Sequence, residues 1–131
     1  MGTVEGRPLR AVFPAGVWAA DVELRYAPAS RARVVAEQSR RAFEREGIPE
    51  RELQACKAEG PEGTDLPGCL KLYLPLGVSD PRERPFGMVL IDVGENEPAL
   101  VLLAYGVRHL PEESHAESVY RRAHRRLHPR S

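Results

Sequence analysis

The chain has 131 residues, 42% of them hydrophobic and 29% charged, which suits one globular domain with a single core. No apolar run approaches the ~20 residues of a membrane-spanning helix, so the composition excludes a membrane protein. Nineteen basic and nineteen acidic side chains cancel, and the overall charge therefore directs the chain neither to nucleic acid nor to a membrane surface.

The first 16 residues are rich in glycine and proline, which predicts an N-terminal arm or edge strand with one short strand at Leu9–Phe13. Pro14 and Gly16 interrupt the weakly apolar stretch that follows, so we do not interpret it as a signal peptide. The two cysteines are too few for a disulfide framework and fit reduced thiols in a cytoplasmic protein. Residues 17–131 are predicted to form one domain.

The next two segments predict a strand followed by a helical hairpin. From Val17 to Tyr26 apolar and charged residues alternate, as in a half-buried strand. Ser30 is a suitable N-cap for a helix over 31–46, and Gly47 a suitable end. A second helix is expected from Pro49 to about Ala58, since proline suits the first helical position.

Three strands are predicted after the glycine- and proline-rich loop at 60–68. They cover 69–76, 86–93 and 99–107, and the short connection between the last two favours an antiparallel meander. In the first of them, Leu70, Leu72 and Leu74 alternate with Lys71 and Tyr73, which places the lysine and tyrosine on the more open face. A lysine beside a tyrosine can hold a phosphate and move a proton, although an ordinary exposed lysine gives the same pattern.

A basic helix is predicted at the C-terminus. Ser114 and Glu117 have the spacing of a capping box, and Pro129 ends the helix near His128. Its arginines suit either contacts with RNA or DNA phosphates or a solvated helix face; they are Arg121, Arg122, Arg125, Arg126 and Arg130. His124 and His128 share one face of this helix, but no third ligand accompanies them, so no metal and no other cofactor is expected.

Several local strings, together with this order of elements, resemble the RelE toxin family of the RelE/ParE superfamily. Ser118-Val119-Tyr120, followed by Ala123, Arg125-Arg126 and Leu127, is similar to the tyrosine-bearing C-terminal segment of RelE toxins. Pro67-Gly68-Cys69-Leu70-Lys71-Leu72 is similar to the strand that carries a functional lysine in that family. Met88–Asp92 and Val101–Arg108 are similar to its two central strands, so the resemblance covers about Val22 to His128.

The resemblance implies an α+β fold with an N-terminal strand, a helical hairpin, a three-stranded mainly antiparallel meander and a C-terminal helix. It also implies a cytoplasmic type II toxin: an mRNA interferase that cleaves messenger RNA on the ribosome and is neutralised by an antitoxin protein. In that reaction the ribose 2′-oxygen attacks the adjacent phosphate. Lys71 would contact the phosphate or accept the proton, Arg108 would be the transition-state cation, and Tyr120 would orient groups or transfer a proton.

The chain departs from the family pattern at Gly87, where RelE toxins carry another arginine, and at Tyr73, which replaces a second lysine. Arg82 or Arg84, in the loop at 77–85, is expected to supply the missing cation. Two alternatives to an active endoribonuclease follow. One is a binding module of the same fold with impaired catalysis, and the other is a ParE-like toxin directed at DNA gyrase. The sequence indicates no particular oligomeric state.

Overall fold

The described part of the chain folds as an α+β domain in which three helices pack against a six-stranded sheet. The structure is a computed structural model that describes residues 8–56, 66, 68–74, 86–97, 99–108 and 118–127. The strands are β1 (Pro8–Val12), β2 (Ile48–Pro49), β3 (Gln54–Ala55), β4 (Cys69–Leu74), β5 (Phe86–Asp92) and β6 (Ala99–Val107). The helices are α1 (Ala15–Trp18, continued by a π-helical turn, Ala19–Glu23), α2 (Arg31–Glu46) and α3 (Val119–Leu127).

The strand order in the sheet is β2-β1-β6-β5-β4-β3. Strands β4, β5 and β6 form the expected antiparallel meander, with Tyr73 opposite Gly87 and Gly87 opposite Gly106. Strand β1 lies parallel to β6 but pairs with it only over Arg10–Val12. Because that pairing ends at Val101 of β6, the rest of β6 extends beyond β1.

The N-terminal segment differs from its prediction in two ways. Strand β1 pairs with β2 on one side and β6 on the other, so it is an integral strand and not an edge strand. Residues 15–23 are helical, and the strand predicted over 17–26 is wrong. Trp18, Asp21 and Val22 are the buried positions, which is a helical spacing, while Leu24 is 83% exposed. A buried aspartate within the apolar stripe conceals the helical period.

Helix α2 has the predicted limits. The hydroxyl of Ser30 accepts a hydrogen bond from the Arg33 amide at 3.2 Å, and Gly47 ends the helix with φ at +79°. The helix predicted after it is wrong, because residues 48–55 form β2, a 3₁₀ turn at Glu50–Glu52, and β3. The two consecutive helices that precede the meander are therefore α1 and α2.

The two faces of the sheet carry two hydrophobic clusters. Helices α1 and α2 cover the first face, where Trp18, Val22 and Ala36 pack with the apolar residues of the strands. Helix α3 covers part of the second face through Val119 and Ala123. No helix among the described residues has the length and apolar character needed to cross a membrane.

The alternation predicted for β4 is confirmed. Leu72 and Leu74 are 3% and 1% exposed and belong to the first cluster, and Leu70 packs against its margin. Lys71 and Tyr73 are half-buried on the opposite face, which is the face of α3. The register of one strand therefore decides which side chains are available for chemistry.

Candidate functional site

Lys71, Tyr73, Arg108 and Tyr120, which we call the four-residue site, meet on the face of the sheet covered by α3. Strand β4 supplies Lys71 and Tyr73, Arg108 follows β6, and Tyr120 lies in the first turn of α3. The ammonium nitrogen of Lys71 is 5.5 Å from the ring centroid of Tyr73 and 5.9 Å from that of Tyr120. The three residues predicted to be catalytic are therefore brought together, with Tyr73 among them.

Arg108 is more deeply buried than Lys71 and Tyr73, the two half-buried residues of the site. Its guanidinium carbon is 3.5 Å from the ring centroid of Tyr73, a close cation–π stack, and its Nε donates to the Tyr120 hydroxyl at 3.4 Å. Arg108 and Tyr120 are only 6% and 8% exposed. Lys71 and Tyr73 are therefore the members of the site most accessible to a ligand. The charge of Arg108 affects the site by lowering the pKa of Tyr73.

The environment moves the pKa values of the two phenols in opposite directions. Burial acts to raise the pKa of Tyr73, but a hydrogen bond from Lys71 and the charges of Lys71 and Arg108 outweigh it, so this pKa lies below its ordinary value of 10.0. Burial dominates at Tyr120 and raises its pKa above the ordinary value, despite the hydrogen bond from Arg108. Tyr73 is thus the better proton acceptor, and Tyr120 stays protonated as a donor.

Two glycines, Gly87 and Gly106, lie opposite each other in the sheet next to the site. A Cβ at Gly87 would lie 3.1 Å from the carbonyl oxygen of Leu72 and 3.2 Å from Cγ of Arg108. A Cβ at Gly106 would collide with Nη2 of Arg122. The missing side chain at Gly87 thus leaves room for the stem of Arg108.

A buried ion cluster of Asp21, Arg122 and Arg126, which we call the ion triad, lies along the part of β6 that extends beyond β1. Asp21 is fully buried and accepts a hydrogen bond from the Tyr105 amide at 2.8 Å. Arg122 and Arg126 donate to the carbonyl oxygens of Tyr105 and Leu103, each at 2.7 Å. These side chains therefore satisfy backbone groups of β6 beyond the residues that pair with β1.

Both arginines of the triad also contact the Asp21 carboxylate, Arg122 at 2.9 Å and Arg126 at 2.5 and 2.8 Å. Burial acts to raise the pKa of Asp21, but hydrogen bonds from Arg126 and the Tyr105 amide, together with the charge of Arg122, leave it below its ordinary value. Asp21 therefore stays ionised and connects α1 to α3.

The triad changes the interpretation of the basic C-terminal helix. Arg122 is 4% exposed and the Arg126 side chain 29%, and both bind groups within the chain. We therefore remove both residues from the predicted phosphate contacts. Arg125 is exposed and Arg121 half-buried, so these two remain candidates. Arg82 and Arg84 lie outside the described residues.

No group of three or more His, Cys, Asp or Glu side chains within the described ranges is placed to hold a metal ion. His124 is half-buried on α3, and His128 lies outside those ranges. No protein-family model, no curated protein and no solved structure matches the chain.

The sequence predicts separate roles for Lys71, Arg108 and Tyr120, but none for Tyr73 alone and none for Asp21. The sequence analysis placed Tyr73 on the same strand face as Lys71, but only the structure shows that Arg108 and Tyr120 lie beside it. Asp21 could have been found as the one acid at helical spacing from Trp18 and Val22.

Proposed function

We propose that this protein is a RelE-like type II toxin that cleaves messenger RNA on the ribosome in the cytoplasm and is neutralised by an antitoxin protein. The observation that carries the proposal is the convergence of Lys71, Tyr73, Arg108 and Tyr120 on one face of the sheet. Two cations and two phenols with opposite pKa shifts suit a reaction that moves protons beside a phosphate.

Each group has a role in attack of a ribose 2′-oxygen on the adjacent phosphate. Lys71 binds the phosphate and stabilises the charge that builds on its oxygens. Tyr73, whose pKa is lowered by Lys71 and Arg108, accepts the 2′-hydroxyl proton. Arg108 positions the Tyr73 ring and favours its phenolate. The bond between phosphorus and the 5′-oxygen breaks, and Tyr120 donates its proton to that leaving oxygen. The products are a 2′,3′-cyclic phosphate and a 5′-hydroxyl end.

The arrangement of elements agrees with the proposal at a coarse level. A strand, two helices, an antiparallel meander and a C-terminal helix follow one another, with the short strands β2 and β3 between α2 and the meander. Helix α2 is at its predicted position, whereas the helix before it replaces a predicted strand. Arg121 and Arg125 are the described cations of α3 that remain candidates for contacts with RNA phosphates.

The test is cleavage of a translated message by purified protein, read by mapping new RNA 5′ ends and their chemistry. Wild type is expected to produce 5′-hydroxyl ends only when ribosomes are translating. Lys71→Met and Tyr73→Phe should each reduce the rate by roughly 10²-fold or more, since each removes a group from the reacting centre. Arg41→Gln, an exposed change on α2, is the matched control and should leave cleavage intact.

A binding module without catalysis is the second candidate, favoured by the burial of Arg108 against Tyr73. Binding of RNA by wild type without any new 5′ ends would support that module and refute the toxin. Inhibition of gyrase supercoiling, with messages left intact, would instead identify the ParE-like activity. Relief of any such activity by a small protein encoded beside this chain would support the antitoxin partner.

A further inference from the structure

Cys56 and Cys69 lie opposite each other at the end of the β3–β4 pair. Gln54 pairs with Lys71 and Ala55 with Leu70, and the amide of Cys56 donates to the carbonyl oxygen of Cys69 at 3.1 Å. This continues the same antiparallel register by one residue. Residues directly opposite in such a register point to the same face of the sheet, so the two thiols face the same side.

The spacing of this register suits a disulfide. Opposite residues of an antiparallel pair have Cα atoms about 4.5–5.5 Å apart, and the Cα atoms of disulfides lie roughly 4.4–6.8 Å apart. The Cys69 amide donates to the carbonyl oxygen of Leu66 at 3.3 Å, so Cys56 and Cys69 share one backbone hydrogen bond. Opposite Cβ atoms lie about 4.5–5.5 Å apart and those of a disulfide about 3.5–4.5 Å, so bond formation draws the two Cβ atoms together by roughly 1 Å. Both cysteines are free thiols and belong to the same hydrophobic cluster, Cys69 at 2% exposed and Cys56 at its margin. A bridge would therefore need no change of strand register.

We propose that Cys56 and Cys69 are a reversible modification site that a low-molecular-weight disulfide, such as oxidised glutathione, converts to an intramolecular disulfide. Cys56 is the more exposed thiol and reacts first. Its thiolate attacks one sulfur of the oxidant, forms a mixed disulfide and releases one reduced thiol. Cys69 then loses its proton, attacks the Cys56 sulfur and releases the second reduced thiol.

The two cysteine sulfurs are oxidised and the two sulfurs of the reagent are reduced, with both thiol protons transferred to the released thiols. The reaction is slow, because burial raises the pKa of Cys56 to about 11 and also raises that of Cys69. Its consequence is a covalent link between β3 and β4, two residues from Lys71. The inference does not depend on the proposed function of the four-residue site.

The test equilibrates the folded full chain in glutathione redox buffers, starting from both reduced and oxidised protein. We expect the free thiol count to fall from two to none in a monomer whose mass falls by two hydrogen atoms, with a Cys56–Cys69 peptide after digestion. Closing this loop should raise Tm by roughly 5–10 °C, and reductant should reverse both changes.

Single variants identify the order of attack. Cys69→Ser should stop at the mixed disulfide on Cys56, whereas Cys56→Ser should keep its buried thiol unmodified. Three results on wild type would each overturn the inference: two unreacted thiols at equilibrium, a mixed disulfide on Cys56 that persists beside a free Cys69, or disulfide-linked dimers.

Discussion

Replacing Asp21 by asparagine should strongly destabilise the protein, since it removes the only acid of the ion triad while nearly preserving shape. The asparagine carbonyl can still accept the hydrogen bond from the Tyr105 amide. It carries no charge for the two guanidinium groups that contact Asp21. Arg126, with 29% of its side chain exposed, can turn toward water, but Arg122, at 4%, stays buried without its counterion.

The magnitude follows from the loss of the Asp21 carboxylate beside the buried Arg122. Removing one partner of a buried ion pair costs about 3–5 kcal/mol, and the retained Tyr105 hydrogen bond places Asp21→Asn near the lower end. For a domain of this size the loss corresponds to a fall in Tm of roughly 10 °C. Adding Arg122→Met should recover part of the loss, because the double variant no longer buries the Arg122 charge in the absence of the Asp21 carboxylate.

Urea unfolding at neutral pH measures the change in the free energy of unfolding. Glu37→Gln is the matched control: it breaks the partly exposed 2.8 Å pair with Arg33 on α2 and should cost less than about 1 kcal/mol. Two results would refute the role assigned to the ion triad. One is a loss of unfolding free energy in Asp21→Asn no larger than in this control, and the other is a double variant less stable than Asp21→Asn.

The pH dependence has a defined sign. Because the folded pKa of Asp21 lies below its ordinary value of 3.8, its ionised form stabilises the fold at pH values above 3.8. That stabilisation is lost as the pH falls through the lower folded value. The stability difference between wild type and Asp21→Asn should therefore be constant near neutral pH and shrink in acid; growth of the difference in acid would contradict the assignment.

Further predictions concern the four-residue site and α3. In a spectrophotometric titration, the tyrosine that ionises at the lowest pH should be absent from Tyr73→Phe. Gly87→Ala should displace Arg108 from the Tyr73 ring, destabilise the fold by about 1–3 kcal/mol and return the Tyr73 pKa toward 10.0, as the same titration would detect. If the protein binds RNA, neutralising Arg121 and Arg125 together should lower the salt dependence of binding by up to about two units of slope, measured by fluorescence anisotropy at several salt concentrations.

Local signals in the sequence were sufficient for several elements. Ser30 and Gly47 mark the ends of α2, because capping depends on a few adjacent residues. The alternation along β4 places Lys71 and Tyr73 on one face, because successive side chains of a strand point to opposite faces. The meander from β4 to β6 also follows from continuous apolar runs and short connections.

Other features depend on contacts that are distant in sequence. In the sequence, Asp21 fits the polar face of a predicted strand. In the structure, Arg122 and Arg126, which lie more than a hundred residues later in the chain, contact its carboxylate. The helix predicted from Pro49 is absent because residues 48–49 pair with β1 and residues 54–55 pair with β4. In both cases tertiary contacts override a local preference.

The sequence by itself determined which chemical groups this protein has and, through period-two alternation, that Lys71 and Tyr73 share one face of a strand. Only the tertiary structure decided which arginines of α3 are available to contact a ligand. Their burial and their pairing with Asp21 depend on how α1 and α3 pack beside the part of β6 that extends beyond β1. The tertiary structure also decided that Arg108 stacks on Tyr73, since Gly87 leaves the necessary space only when β4, β5 and β6 are aligned. Local periodicity determines the direction of a side chain, whereas its neighbours, and therefore its pKa and reactivity, depend on the packing of the whole chain.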